Sequence, residues 1–100
     1  YSNSGYSPQE LTIQAGEVVM FQNNSSRVMW PASNIHPSHK EYPGSDIMKC
    51  FDGESDKSTL FDSCGEIAQD GAWSFVFQEK GAWKYHDHKR PGETGTIIVE

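Results

Sequence analysis

The sequence predicts an all-β domain, an antiparallel sandwich or barrel. Three observations carry that reading. Short apolar segments alternate with period two, most cleanly in Ala72-Trp73-Ser74-Phe75-Val76-Phe77, where Trp73, Phe75 and Phe77 share one face. Clusters of Gly, Pro, Asn, Ser and Asp punctuate these segments at close intervals. No stretch shows long helical periodicity, and there is no internal repeat. One hundred residues make a single domain, 1–100.

Taken in order, Tyr1–Ser7 is polar and rich in Gly and Ser, and reads as a ragged start or the end of a linker. Position 1 is Tyr rather than Met, so the sequence is expected to be a mature product or an excised domain. Ser7–Glu10 is a turn, Leu11–Gln14 a short alternating strand, and Ala15-Gly16-Glu17 the next turn. Val18–Gln22 is a second strand, with Val19 and Phe21 on one face and Val18 and Met20 on the other. Asn23–Ser26 is a loop. Val28-Met29-Trp30 is brief and apolar, and Pro31 stops it or confines it to an edge. From Ala32 to Asp70, Pro, Gly, Ser and Asp dominate. A structureless loop of that length is unusual in a compact domain, so a short helix or helical turn is expected within Lys57–Ser63. After the Ala72–Phe77 strand, Gln78–Gly81 forms a hairpin turn into the strand carrying His86 and His88. Lys89–Gly95 then turns the chain, and the β-branched Thr96–Val99 returns as a strand.

Composition narrows the function. Fourteen carboxylates against eight Lys and Arg give a formal charge of −6, which argues against a nucleic-acid partner with its need for a basic face. No apolar run approaches the roughly 18–20 residues of a membrane-spanning helix. Apolar residues make up 35% of the chain, and twelve aromatic residues supply much of the expected buried area. Cys50 and Cys64 lie in one polar segment. A disulfide between them would close a loop of about 15 residues, worth roughly 3 kcal/mol in the chain-entropy model. Free thiols or metal thiolates are the alternatives, though no short C-x-x-C spacing favours metal. The disulfide implies an oxidising, extracytoplasmic compartment.

The chain has four histidines, in two close pairs. His86 and His88 fall on the same face of a strand, their Cα atoms roughly 6.5–7 Å apart. His36-Pro37-Ser38-His39 fits a type I turn, which brings its first and fourth Cα atoms within about 7 Å. Either pair could close on one metal ion. All four could do so only if the Ala32–Tyr42 loop lies over the end of the His86–His88 strand.

Three parts of the chain resemble the cupredoxin family, the plastocyanin-like copper proteins. Tyr6-Ser7-Pro8, Leu11-Thr12-Ile13 and Ala15–Asn24 are similar to that family's first strands. Trp73–Phe77 with Lys80–Tyr85 resembles its penultimate hairpin, and Gly95–Val99 its last strand. The resemblance implies a Greek-key β-sandwich or barrel, with a long disulfide-tied loop and a metal site at one end. The ligands depart from the family pattern. A blue-copper site needs a Cys in the final loop, and Lys84–Glu100 contains neither Cys nor Met. Asp87 stands near the place of that Cys, Glu93 or Thr94 near that of the axial Met, and Met29 near that of the upstream His. Blue-copper function is therefore not carried over.

An all-histidine copper site on the same frame is the expected alternative, with His36, His39, His86 and His88 on one ion. Four nitrogens suit Cu(II) in a tetragonal array and Zn(II) in a tetrahedral one, with zinc the lesser candidate. Asp87 and Glu93 are candidates to accept ring N–H groups, and Glu41 to do so or to act as an axial oxygen. Trp30 and Trp83 are read first as core, with Trp30 as a cover over the site the alternative. Met29 is read as buried and apolar, and Lys40, Lys89 and Arg90 as a solvated basic rim. The expected function is electron transfer or copper handling by a monomer, with a redox protein or a copper donor or acceptor as partner. The rivals are a metal-free interaction module of a larger secreted protein, and a type 2 copper or zinc enzyme with an open coordination position.

Overall fold

The computed structural model describes residues 1–100 as a Greek-key β-sandwich. Its strands are β1 (Glu10–Ile13), β2 (Val18–Gln22), β3 (Pro31–Ser33), β4 (Ala72–Val76), β5 (Gly81–Asp87) and β6 (Arg90–Val99). One sheet has the order β1-β6-β5-β3 and the other pairs β2 with β4. Pairing is antiparallel except between β1 and β6, which run parallel from Glu10 opposite Thr96 to Ile13 opposite Val99. Beyond the strands, the only helical pieces are 3₁₀ turns at Ile47–Cys50 and Lys57–Thr59, the second inside the segment expected to be helical. Asp46 and Asp56 cap them, each accepting a backbone N–H two residues on.

Period-two patterning places the core. In β2, Val19 and Phe21 point inward while Val18 and Met20 face solvent. Phe75 and Phe77 do the same for β4 and the residue after it. The inner faces meet around Phe61, which is fully buried. Its ring lies 4.8 Å from Phe77, 5.4 Å from Phe75, 5.7 Å from Tyr85 and 6.0 Å from Phe21. Phe61, Leu60 and Tyr42 come from the polar 32–70 segment, so that segment builds the core rather than decorating it. Cys50 and Cys64 form the expected disulfide.

Three local expectations differ from the structure. Tyr1–Ser7 is not ragged: Tyr1 and Tyr6 are buried, their rings 4.7 Å apart, and the Tyr1 amino group donates to Gln22 O at 2.7 Å. Aromatic burial overrides the Gly/Ser signal there. Pro31 does not end a strand but begins one, β3, which lies at the edge of its sheet as the second alternative had it. Pro31 needs no N–H at that end, and its carbonyl accepts from Ser63 N at 2.9 Å. The final hairpin is tighter than expected, because β6 already starts at Arg90, opposite Asp87. Only the second half of β6 is flanked by β1, so Pro91 sits where no neighbour requires its missing N–H.

Candidate metal centre

The site is built where β5 leaves its sheet. Tyr85 points into the core, so His86 points to the opposite face, where Asn34 and His39 of the loop after β3 meet its ring. The ladder shifts register between His86 and Asp87. His88 N–H still donates to Trp30 O at 2.8 Å, which keeps His88 beside His86. The loop brings the other pair. His39 adopts a left-handed backbone at φ 59°, donates its N–H to Ile35 O at 2.8 Å, and is fully buried.

All four imidazoles converge. One ring nitrogen from each of His36, His39, His86 and His88 lies within 4.8 Å of the others. His39 Nε2 is 3.2 Å from His86 Nε2 and 3.1 Å from His88 Nδ1. His36 stands at the mouth, solvent-exposed, its ring 5.1 Å from that of His88 and 5.3 Å from that of His86.

The far nitrogens explain what these contacts mean. His39 Nδ1 is 2.7 Å from Asp62 Oδ2, and His86 Nδ1 is 2.8 Å from Asn34 Oδ1. A carboxylate and an amide oxygen only accept, so both Nδ1 atoms donate, and in the neutral tautomer this fixes, both Nε2 atoms carry lone pairs. In those neutral rings the two lone pairs face each other 3.2 Å apart. Burial, and then the neighbouring imidazoles, lower the His86 pKa to about 4. The same causes lower that of His88. Neutral rings with convergent lone pairs repel one another and offer a cation a ready donor set. The nitrogen set fits a borderline metal such as copper or zinc.

Asp62 ties this arrangement together. It is buried, with Oδ1 accepting from Trp30 Nε1 at 2.7 Å and Cys64 N at 2.8 Å. Trp30 packs on His88 with ring centroids 4.5 Å apart, so it covers the site rather than filling the core. Asp62 and Asn34 carry no sequence signal that distinguishes them from other loop residues. The residues expected in their role lie elsewhere. Asp87 is buried and accepts the Trp30 and Lys89 backbone N–H groups through Oδ1, while Oδ2 has no partner. Glu93 binds Arg27 and the Tyr1 hydroxyl. Glu41 is exposed, and its carboxylate is not among the converging groups. Met29 is fully buried in the core cluster. Of the basic rim, Lys40 pairs with Asp46 and Lys89 with Glu66.

No family model matches the sequence, and no curated protein matches it significantly. Solved structures do. A purple cupredoxin from Nitrosopumilus maritimus superposes with a TM-score of 0.71 over 98% of this chain and 84% of that one, at 23% identity. This chain has the cupredoxin fold. A mutant amicyanin with Cu(I) gives a TM-score of 0.67 over 98% of this chain and 75% of its own, at 18% identity. A second, reduced amicyanin mutant gives 0.66 over 95% and 72%, at 20% identity. At such identities the likeness speaks for the fold alone. On this cupredoxin frame, the four histidines occupy the end of the sandwich where β5 and the loop after β3 meet.

Proposed function

We propose that this cupredoxin-fold protein binds one copper ion through His36, His39, His86 and His88, and acts in copper handling or electron transfer. The observation that carries the proposal is the meeting of His39 Nε2, His86 Nε2 and His88 Nδ1, with the outer N–H groups of His39 and His86 bound to Asp62 and Asn34. Metal-binding histidines are fixed in this way, since the outer acceptor sets the tautomer and the ring direction. The donor set contains no thiolate, so Cu(II) bound there lacks the intense charge-transfer colour of a copper–thiolate bond. Copper stands above zinc in divalent affinity for nitrogen sites.

The asymmetry of the site favours handling over electron transfer. His39 and His86 are buried and tied down, whereas His36 is exposed and its ring makes no hydrogen bond. An exposed, untethered ligand is the one an acceptor protein can replace. The disulfide supports an extracytoplasmic setting. Titration with Cu(II), followed by EPR, tests the reading. One equivalent should bind and give a spectrum with several equatorial nitrogens, and Trp30 fluorescence should be quenched from its position on His88. A spectrum without that nitrogen coupling, or equal affinity in the His86→Ala/His88→Ala variant, overturns the site. Transfer to a Cu(II) chelator that accelerates in His36→Ala supports handling.

A further inference from the structure

The Cys50–Cys64 sulfur pair lies beside Asp62. We infer that Cys50 and Cys64 form a distinct metal site that opens on reduction, a dithiolate for a soft monovalent ion such as Cu(I). This goes beyond the histidine site and does not depend on it.

The first support is placement. A carboxylate oxygen of Asp62 and both sulfurs lie within 4.8 Å of one another, and Oδ2 of the same Asp62 is 2.7 Å from His39 Nδ1. The sulfur pair is therefore one side chain away from the imidazoles. The second support is that both cysteines are positioned by bonds that do not need the S–S link. Cys50 ends a 3₁₀ turn that Asp46 caps, and the turn is tied to the histidine loop by Ile47 N donating to Ser38 O at 2.9 Å. Cys64 N donates to Asp62 Oδ1 at 2.8 Å, and Ser63 N to Pro31 O at 2.9 Å. Opening the disulfide leaves two thiols on adjacent, still-anchored backbones with their Cα atoms 5.3 Å apart. The third support is ligand chemistry. Thiolates select Cu(I), while imidazoles suit Cu(II). The fold thus holds one donor set for each oxidation state of copper, with Asp62 between them.

A dithiol reductant transfers two electrons and two protons to the pair and becomes a disulfide itself. Its thiolate attacks Cys64, the less buried partner, and Cys50 leaves. Cu(I) then forms two Cu–S bonds, and two protons are released to solvent.

The test compares Cu(I) stoichiometry in the oxidised and dithiol-reduced protein. The reductant is removed and the titration run anaerobically against a chromophoric Cu(I) chelator. The reduced protein should take up one equivalent more than the oxidised protein, and both thiols should become unreactive to a thiol reagent. The Cys50→Ser/Cys64→Ser variant should lack the extra equivalent in either condition yet keep Cu(II) binding. The His86→Ala/His88→Ala variant should keep the extra equivalent, so failure of the histidine site and failure of the thiol site read differently. Equal uptake by oxidised and reduced protein overturns the inference, as does an extra equivalent that survives in the serine variant. Loss of near-ultraviolet circular dichroism on reduction also overturns it, because the site requires the folded backbone.

Discussion

The β5–β6 hairpin and the 34–64 segment each contribute two of the four histidines, but they hold them by different means. His86 is directed by backbone register, with Ala32 opposite it on one side and Thr94 on the other. His88 follows through its N–H bond to Trp30 O. In the loop there is no ladder to set direction. His39 is instead fixed by a left-handed backbone and by one carboxylate, that of Asp62. A strand shares the work of orientation among many backbone bonds, whereas a loop concentrates it in a few side chains. Single substitutions in the loop should therefore reach further than equal changes in the hairpin.

The largest expected effect tests whether the loop belongs to the core. Phe61→Ala removes the ring at the centre of the aromatic cluster and should cost about 3–5 kcal/mol in denaturant unfolding, as Phe75→Ala should. A cost well under that of Phe75→Ala would make the loop a separable insertion and break the comparison. Next comes the pair of buried aspartates. Asp62→Asn replaces the acceptor on His39 Nδ1 and should weaken Cu(II) binding by about 10–100-fold. Asp87→Asn sits between two of the histidines in sequence, yet its Oδ1 serves only backbone donors, so affinity should hold. Competition titrations of the two variants give the contrast directly, and equal losses would erase the distinction between loop and strand.

What could be read from sequence follows the same division. The strands around Val19, Phe21, Phe75 and Phe77 were legible because alternation is a backbone property that side chains display. The histidine pairs were legible from their spacing, but their meeting needed the resemblance to a fold. Asp62 and Asn34 were not legible, since an acceptor for a ring N–H has no period and no fixed distance in sequence. Phe61 was hidden for a related reason: it stands in a mostly polar stretch outside any strand, anchored where its N–H donates to Ser45 Oγ at 2.8 Å. Tyr1 and Tyr6 failed the same way, as isolated rings whose burial depends on each other.

Acid should separate the regions further in the metal-free protein. The folded pKa of His86, about 4, lies below its unfolded value of roughly 6.5. As pH falls, the unfolded chain takes up this proton first, so stability from His86 is full above about 6.5 and is lost on the way down to about 4. His88 shifts in the same direction. Thermal melts of the metal-free protein should fall between about pH 7 and pH 5, and His86→Asn should flatten that fall. Equal slopes for the two proteins would mean that the ring is not held neutral by burial.

The smallest effect should come from Lys89, although it is the one charge that ties the hairpin turn to the segment before β4. Its Nζ lies 3.5 Å from Glu66 Oε2, and the two side chains are 44% and 50% exposed. Water screens such a pair, and ordering two long side chains offsets much of the attraction, so Lys89→Ala should cost ~0–1 kcal/mol. Its backbone N–H, which donates to Asp87 Oδ1, is untouched by the substitution, and so is the turn that presents His88. Cu(II) affinity should therefore stay at the wild-type value at physiological salt. A clear loss of affinity in Lys89→Ala would show that the hairpin, like the loop, relies on a single side chain to aim its histidine.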